Sequence, residues 1–298
     1  MSTHAISAPA RPGPEPRPVS PRLLLGLPMA LLMLAGFVLP GLLTLAVSVN
    51  EGGIGEFAGI SAAKYVAVLG SAYFWRVLGF TLAVSAGVAA ISAVLAYPLA
   101  MFLARSPSRW TGTAYLITFT PLAVGMNMLT IGWLIVLGRA GVVNSTLLNF
   151  GLVSEPLPLA YGATAVVIGL VHVSFTFMVL PLESVIRGIP AQVESAARSL
   201  GAPRWKVFLT ITLPLSFEGL AAGMLIVFMQ SCGAFVIPLL LGGSSTVMLP
   251  VAIWEQIGVA NDQASAAALS VILTVIALAV LFVQLRYFNR SGGQGDPA

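Results

Sequence analysis

Two histidines, one cysteine and ten carboxylates are all that this 298-residue chain offers for acid–base, nucleophilic or metal chemistry. Their spacing builds none of the three. His4 lies in a Pro-rich polar stretch and His172 in a long apolar run, and no second ligand is placed around either. Cys232 is also embedded in apolar sequence, where a thiol acts as a small packing side chain, and a lone cysteine makes no intrachain disulfide. The chain has no Gly-rich phosphate loop of the Walker type and no acid/base pair in a soluble segment. The sequence therefore predicts no catalytic residue, no metal site and no cofactor, and any energy for work must come from another chain.

One stretch remains that could do something other than cross lipid: "ESAARSLGAPRWKVFLTITLP", residues 194–214. A helix can begin just after Pro190, with Gln192 and Glu194 favourable at its positive end. Gly201 supplies a stop, and Pro203 prevents continuation. An isolated helix of two to three turns is marginal in water and needs a surface to pack on. Ala196 and Ala197 permit close approach, Val193, Leu200 and Trp205 are apolar anchors, and Arg198 carries charge. Such an element either inserts into a groove on another protein or rests as an amphipathic loop on a membrane surface.

The elements that hold this stretch are apolar. Hydrophobic residues make up 58% of the chain and charged residues only 8%, which predicts an all-α integral membrane protein. Six spans are expected at about 23–49, 75–104, 112–138, 162–187, 214–241 and 266–288, kinked at Pro28, Pro40, Pro98, Pro121, Pro181 and Pro238. Residues 22–290 then form the membrane domain, with a loop at 188–213 between spans four and five. Residues 1–21, Pro-rich and polar, and residues 291–298 are expected as tails, the first of them disordered. The first apolar run is too long for the core of a cleaved signal peptide and reads as an uncleaved span.

Basic residues fix the expected topology. Arg11, Arg17, Arg22, Arg105, Arg109, Arg187, Arg198, Arg204, Lys206, Arg286 and Arg290 fall on one side, against Lys64, Arg76 and Arg139 on the other. The richer side is cytoplasmic by the positive-inside rule, with both termini inside. The segments 50–74, 139–161 and 242–265 are then outside, each long enough for a short interfacial helix such as "SAAKYVAVL" or "NSTLLNF". The net charge of +4 is scattered over span ends with no basic stripe, so nucleic acid is not an expected partner.

With these residues in view, "SAARSLG", nine further residues and "ITLP" resemble the coupling loop of binding-protein-dependent ABC importer permeases, E-A-A, three residues, G, nine residues, I-x-L-P. Ala196, Ala197, Gly201, Ile211, Leu213 and Pro214 fall in register; Ser195 stands at the family's Glu position and Glu194 one residue earlier. One residue rotates a side chain by about 100° around a helix. "YPLAMFLAR" at the end of span two, "TPLAVGMNMLTIGWLIVLGRAGVVNSTLLNFGL", "PLAYGATAVVIGLVHVSFTFMVLPLESVIRGIP" and "GAFVIPLLLGG" resemble permeases of the spermidine/putrescine subgroup. The resemblance implies a six-span type I importer bundle with a cytoplasmic coupling helix carried by Glu194, Ser195, Ala196, Ala197, Arg198, Leu200 and Gly201. It further implies two copies of an ABC ATPase subunit, a second permease subunit that is a different chain, an external substrate-binding protein, and residence in a bacterial inner membrane.

Span residues able to meet a solute are Asn127, Trp133, His172, Phe175, Gln230, Ser231 and Phe235, each of which could instead serve helix packing. Gly125, Gly132 and Gly223 are expected to permit close helix contact. Glu183 and Glu218 lie near cytoplasmic span ends, and no acid lies midspan. Polyamine-like cations are the first substrate class by resemblance, with amino-acid derivatives or opines second. The scarcity of intramembrane ionisable residues weighs against an ion-coupled secondary transporter, and the lack of a catalytic cluster weighs against a membrane-embedded enzyme.

Overall fold

The computed structural model describes residues 28–50 and 59–291; the expected tail at 1–21 and residues 292–298 lie outside them. The described residues are helical, apart from loops and an isolated bridge between Asn50 and Ile60. Residues up to Ala46 group as one unit and those from Val47 as another. The first unit contains most of α1 (Pro28–Ser48), whose apolar side chains are exposed along its length.

In the second unit, α2 (Ala63–Leu69) leads to α3 (Ala72–Arg105), α4 (Thr111–Ala123), α5 (Met126–Leu137) and α6 (Val142–Asn149). Next come α7 (Ala163–Gly188), α8 (Ala191–Ser199), α9 (Arg204–Leu215), α10 (Phe217–Cys232), α11 (Val236–Leu241), α12 (Leu249–Gly258) and α13 (Gln263–Ser291). At 1.5 Å per residue the 34 residues of α3 reach about 50 Å, against a hydrocarbon core of about 30 Å. Its ends therefore project beyond lipid.

Among the described residues five stretches are long and apolar enough to cross, or six with the bent pair of α9 and α10 counted as one. Two expected spans are not continuous. The span expected at 112–138 is broken between α4 and α5, where Val124 turns extended at ψ 133° three residues after Pro121. The nearly continuous apolar stretch there is Met126–Asn149. The span expected at 214–241 bends by 65° at Ser216, then breaks again at Gly233–Phe235 before α11, whose Pro238 sits in the first turn where a missing N–H costs nothing. Pro98 and Pro181, by contrast, lie inside unbroken helices.

A π-helical turn precedes each of two other prolines, Leu34–Val38 before Pro40 and Phe208–Thr212 before Pro214. A proline ring collides with the carbonyl four residues back, and one wider turn relieves that contact without ending the helix.

The core is the packing of α3, α7 and α10. Val88, Ala96 and Leu103 from α3, Val166, Leu170, Met178 and Val179 from α7, and Val227 from α10 are buried together. Gly219 and Gly223 let α10 approach α7: a Cβ at Gly219 would lie 2.8 Å from the Pro181 carbonyl, and one at Gly223 2.7 Å from Met178 Sδ. Gly125 and Gly132 have nothing within 4 Å of a Cβ position, so the helix-contact role expected for them falls to Gly219. Short helices occur in all three segments that the charge pattern put on one side, namely α2, α6 and α12. Lys64 Nζ of α2 pairs with Asp262 Oδ2 at 2.6 Å, just before α13.

Candidate functional site at the end of α3

Pro190, extended at ψ 125°, starts α8, and nine residues later the helix closes on itself. The Gly201 amide donates to the Arg198 carbonyl at 2.9 Å and the Ala202 amide to the Ala197 carbonyl at 3.1 Å. This closure requires a left-handed residue, supplied by Gly201 at φ +86°. The expected bounds of the helix are therefore those observed.

Its faces divide by the helical period. Val193, Ala196, Ala197 and Leu200 form one stripe, and Leu200 is 90% exposed. Trp205, at the start of α9, is 66% exposed nearby in sequence. Ala191, Glu194 and Arg198 form a second stripe, and here Glu194 turns inward with only 9% exposure. Arg105 Nη2, from the last residue of α3, donates to Glu194 Oε1 at 2.9 Å, and Thr212 Oγ1 donates to the same oxygen at 3.2 Å. Arg105 Nη1 also donates to the carbonyl of Ile189, immediately before the helix, at 2.8 Å. One arginine thus holds both the entrance of α8 and its acid, leaving an apolar knob outward. Ser195 spends its hydroxyl on the Ala191 carbonyl and is exposed.

The rest of the loop motif lies on α9. Leu213 packs against Tyr97, Ala100, Leu182 and Ile186, Ile211 is half-buried, and Pro214 is exposed. Thr212, between them, is buried and is the residue that reaches Glu194.

Two further contacts converge on the same end of α3. Tyr97 and Ser216 hydroxyls meet at 2.5 Å at the α9–α10 bend, and the Tyr97 ring meets Phe208 edge-on with centroids 5.1 Å apart. Glu183 of α7, 8% exposed, accepts from Tyr115 of α4 at 2.9 Å and from Arg187 Nε at 2.7 Å, while Arg187 Nη2 donates to the Leu103 carbonyl at 3.1 Å. The final turns of α3 are thereby tied to α4, α7, α8 and α9. Sequence reasoning placed Glu183 at a span end and gave it no role. Its four-residue spacing to Arg187 was a readable signal of an ion pair, whereas Arg105 and Glu194 are 89 residues apart.

The candidate pathway residues form separate groups. Trp133 Nε1 donates to His172 Nδ1 at 2.9 Å, so Nδ1 is the acceptor and the ring hydrogen of the neutral imidazole is on Nε2. His172 and Phe175 line a cleft of about 430 Å³ with Leu95, Leu99, Thr118 and Pro121. Gln230 and Ser231 end α10, and Gln230 Oε1 and Ser231 Oγ are buried with no hydrogen-bond partner. Phe235 faces Trp254 of α12 at 6.2 Å, and Asn127 is exposed in the first turn of α5. Among the described residues no three His, Cys, Asp or Glu side chains gather in a way that could hold a metal ion.

Residues 96–291 match the family model described as binding-protein-dependent transport system inner membrane component. The chain is 32% identical over 224 residues to the spermidine/putrescine transport system permease protein PotB of Escherichia coli K12, covering 75% of this chain and 81% of that one. It is 30% identical over 230 residues to the ferric transport system permease protein FbpB of Actinobacillus pleuropneumoniae, covering 76% of this chain and 33% of that one. Its fold is similar to a crystal structure of a bacterial alginate ABC transporter in complex with alginate pentasaccharide-bound periplasmic protein, with TM-score 0.74 and 17% identity over 92% of this chain and 96% of that one.

Proposed function

Because the chain belongs to the inner-membrane components of binding-protein-dependent transport systems, the permease subunits of ABC importers, we propose that it forms half of a pathway for a small polyamine-like solute. Such subunits are not catalytic, and ATP is hydrolysed by separate chains. The observation that carries the mechanism is α8, an apolar knob at Leu200 held to α3 by Arg105 and Glu194.

In this reading α8 seats in a cleft of an ATPase subunit, two copies of which serve this chain and a second, different permease chain. Nucleotide-driven closure of the ATPases moves α8. Arg105, the Ile189 carbonyl and Thr212 pass that displacement to α3 and α9, and the Tyr97–Ser216 contact passes it to the head of α10. Packed helices have discrete alternative arrangements, so a push at one end becomes a rocking of the bundle between inward-open and outward-open states. The Arg and Lys distribution supports a cytoplasmic α8, with α2, α6 and α12 facing the external binding protein.

Polyamine cargo is supported by the PotB relatives and by chemistry within the spans. Gln230 Oε1 and Ser231 Oγ are acceptors lacking donors, which ammonium groups would supply. The aromatic faces of Trp133 and Phe175 suit cations as well. His172 Nε2–H is a donor and does not bind an ammonium, so its part is to orient Trp133.

Two measurements separate the layers of this reading. An ATPase subunit should copurify with the native chain, and Gly201→Val, which forces a β-branched residue into left-handed backbone, should abolish transport; retention of transport would sink the coupling assignment. Equilibrium dialysis of the cognate binding protein with spermidine and putrescine tests cargo alone. Failure to bind either removes the polyamine reading and leaves the permease role standing.

A further inference from the structure

Behind α8, on the side away from its apolar knob, lies a cavity of about 440 Å³, within the size range of small-molecule sites. Its lining includes Arg105, Arg198 and Arg204 over an apolar floor with Met101 and Phe208. The one carboxylate there, Glu194, is already committed to Arg105 and Thr212. Neither Arg198 nor Arg204 is ion-paired among the described residues. Arg105 Nε is buried with no acceptor, although both of its other nitrogens are engaged. Three guanidinium groups lining one cavity beside a single neutralised acid, together with an orphaned buried N–H, suit an anion with several acceptor oxygens.

We propose that this cavity binds a phosphate ester. Guanidinium forks match phosphate oxygens geometrically, and a phosphate offers enough acceptors for several arginines at once. The apolar floor accommodates the carbon portion of the ester. Two sources share this chemistry, the headgroup of an anionic phospholipid and a free phosphate compound. A bound phosphate would bridge α3, α8 and α9 and stiffen the mount of α8. The lining shares no residue with the knob of Val193, Leu200 and Trp205, so one helix serves two surfaces through its two stripes. An acidic segment of the ATPase filling the cavity is the competing outcome.

The test uses the full chain purified in neutral detergent. Native mass spectrometry counts retained dioleoylphosphatidylglycerol against dioleoylglycerol, which lacks the phosphate, and thermal melting is followed with and without inorganic phosphate. Arg198→Gln with Arg204→Gln should lower retention or the phosphate shift at least tenfold; both residues are exposed, neither is ion-paired among the described residues, and Arg198 Nε makes a long bond of 3.3 Å to the Glu194 carbonyl, so the ligand-free melting temperature should hold. Lys206→Gln, an exposed neighbour outside the lining, is the charge control and should change neither. Arginine-dependent retention of phosphatidylglycerol assigns the lipid source, and an arginine-dependent phosphate shift without lipid retention assigns the free one. If neither probe depends on Arg198 and Arg204, the proposal is overturned. It is equally overturned if both fail and Arg204 is instead found cross-linked to an ATPase carboxylate.

Discussion

Replacing Glu194 by Ala removes the carboxylate that, among the described residues, pairs with Arg105 in the mount of α8. Breaking a fully buried pair costs about 3–5 kcal/mol, because the remaining charge is left without a partner in a poor solvent. Here the arginine side chain keeps 22% of its exposure and its bond to the Ile189 carbonyl, so the expected cost is smaller, about 2 kcal/mol. At 1.36 kcal/mol per decade this is about a 30-fold loss in the population of bundles with α8 seated. Transport in proteoliposomes should fall steeply. Basal ATPase activity of the assembled complex should persist, so the ratio of solute moved to ATP hydrolysed drops. The exchange Arg105→Glu with Glu194→Arg restores opposite charges and should recover part of that ratio, giving a favourable coupling energy in a double-mutant cycle. If Glu194→Ala leaves transport, ATPase activity and thermal midpoint unchanged, the clasp does not transmit force and the argument from its geometry is wrong.

Three other outcomes follow from separate parts of the molecule. Gly219→Leu places atoms where the Pro181 carbonyl and Val185 already lie within 3 Å; it should destabilise by at least the roughly 1–3 kcal/mol of an overpacked core, read as a lost folded peak in size-exclusion chromatography, whereas Gly132→Ala should be neutral. Burial alone would raise the Asp262 carboxyl, but hydrogen bonds from Lys64 and Ser265 and the charge of Lys64 bring it down to about 2. Its contribution is therefore complete above the ordinary carboxylate value of about 4 and lost as pH falls through about 2. Discounted for side chains one-third exposed, this is about 1 kcal/mol, and Asp262→Asn should flatten the acid limb of the melting curve. Gln230→Leu removes an acceptor that a cation would use; a hydrogen bond to a charged group is worth about 1.5–3 kcal/mol, so polyamine uptake should fall about tenfold or more with ATPase copurification intact. Unchanged uptake would take Gln230 off the pathway.

How much could be read beforehand depended on how local each cause was. The bounds of α8 were legible because Pro190, Gly201 and Pro203 act on their immediate neighbours. The apolar spans were legible for the same reason, since hydropathy needs only a window. The break at Val124 was half legible, because Pro121 and Gly125 mark a weak point in the run but not whether the helix bends or stops there, and the π turns before Pro40 and Pro214 were silent. The inward turn of Glu194 was half legible: its offset from the alanines predicted a different face of the helix, but not the partner waiting on it. Arg105 and Tyr97 stood in a recognisable stretch at the end of the second span, yet only the packing of α3 against α9 and α10 gave them Glu194 and Ser216.

Coupling requires α8 to present Leu200 to an ATPase, and cysteine cross-linking tests this directly. The native Cys232 is buried, so an introduced thiol reports without background. Leu200→Cys, at a position 90% exposed, should form an adduct with the ATPase subunit in native membranes. Phe150→Cys, also open, just past the end of α6 at 75% exposure, should form none. An ATPase adduct from position 150 and none from position 200 would contradict both the docking role of α8 and the orientation on which it depends.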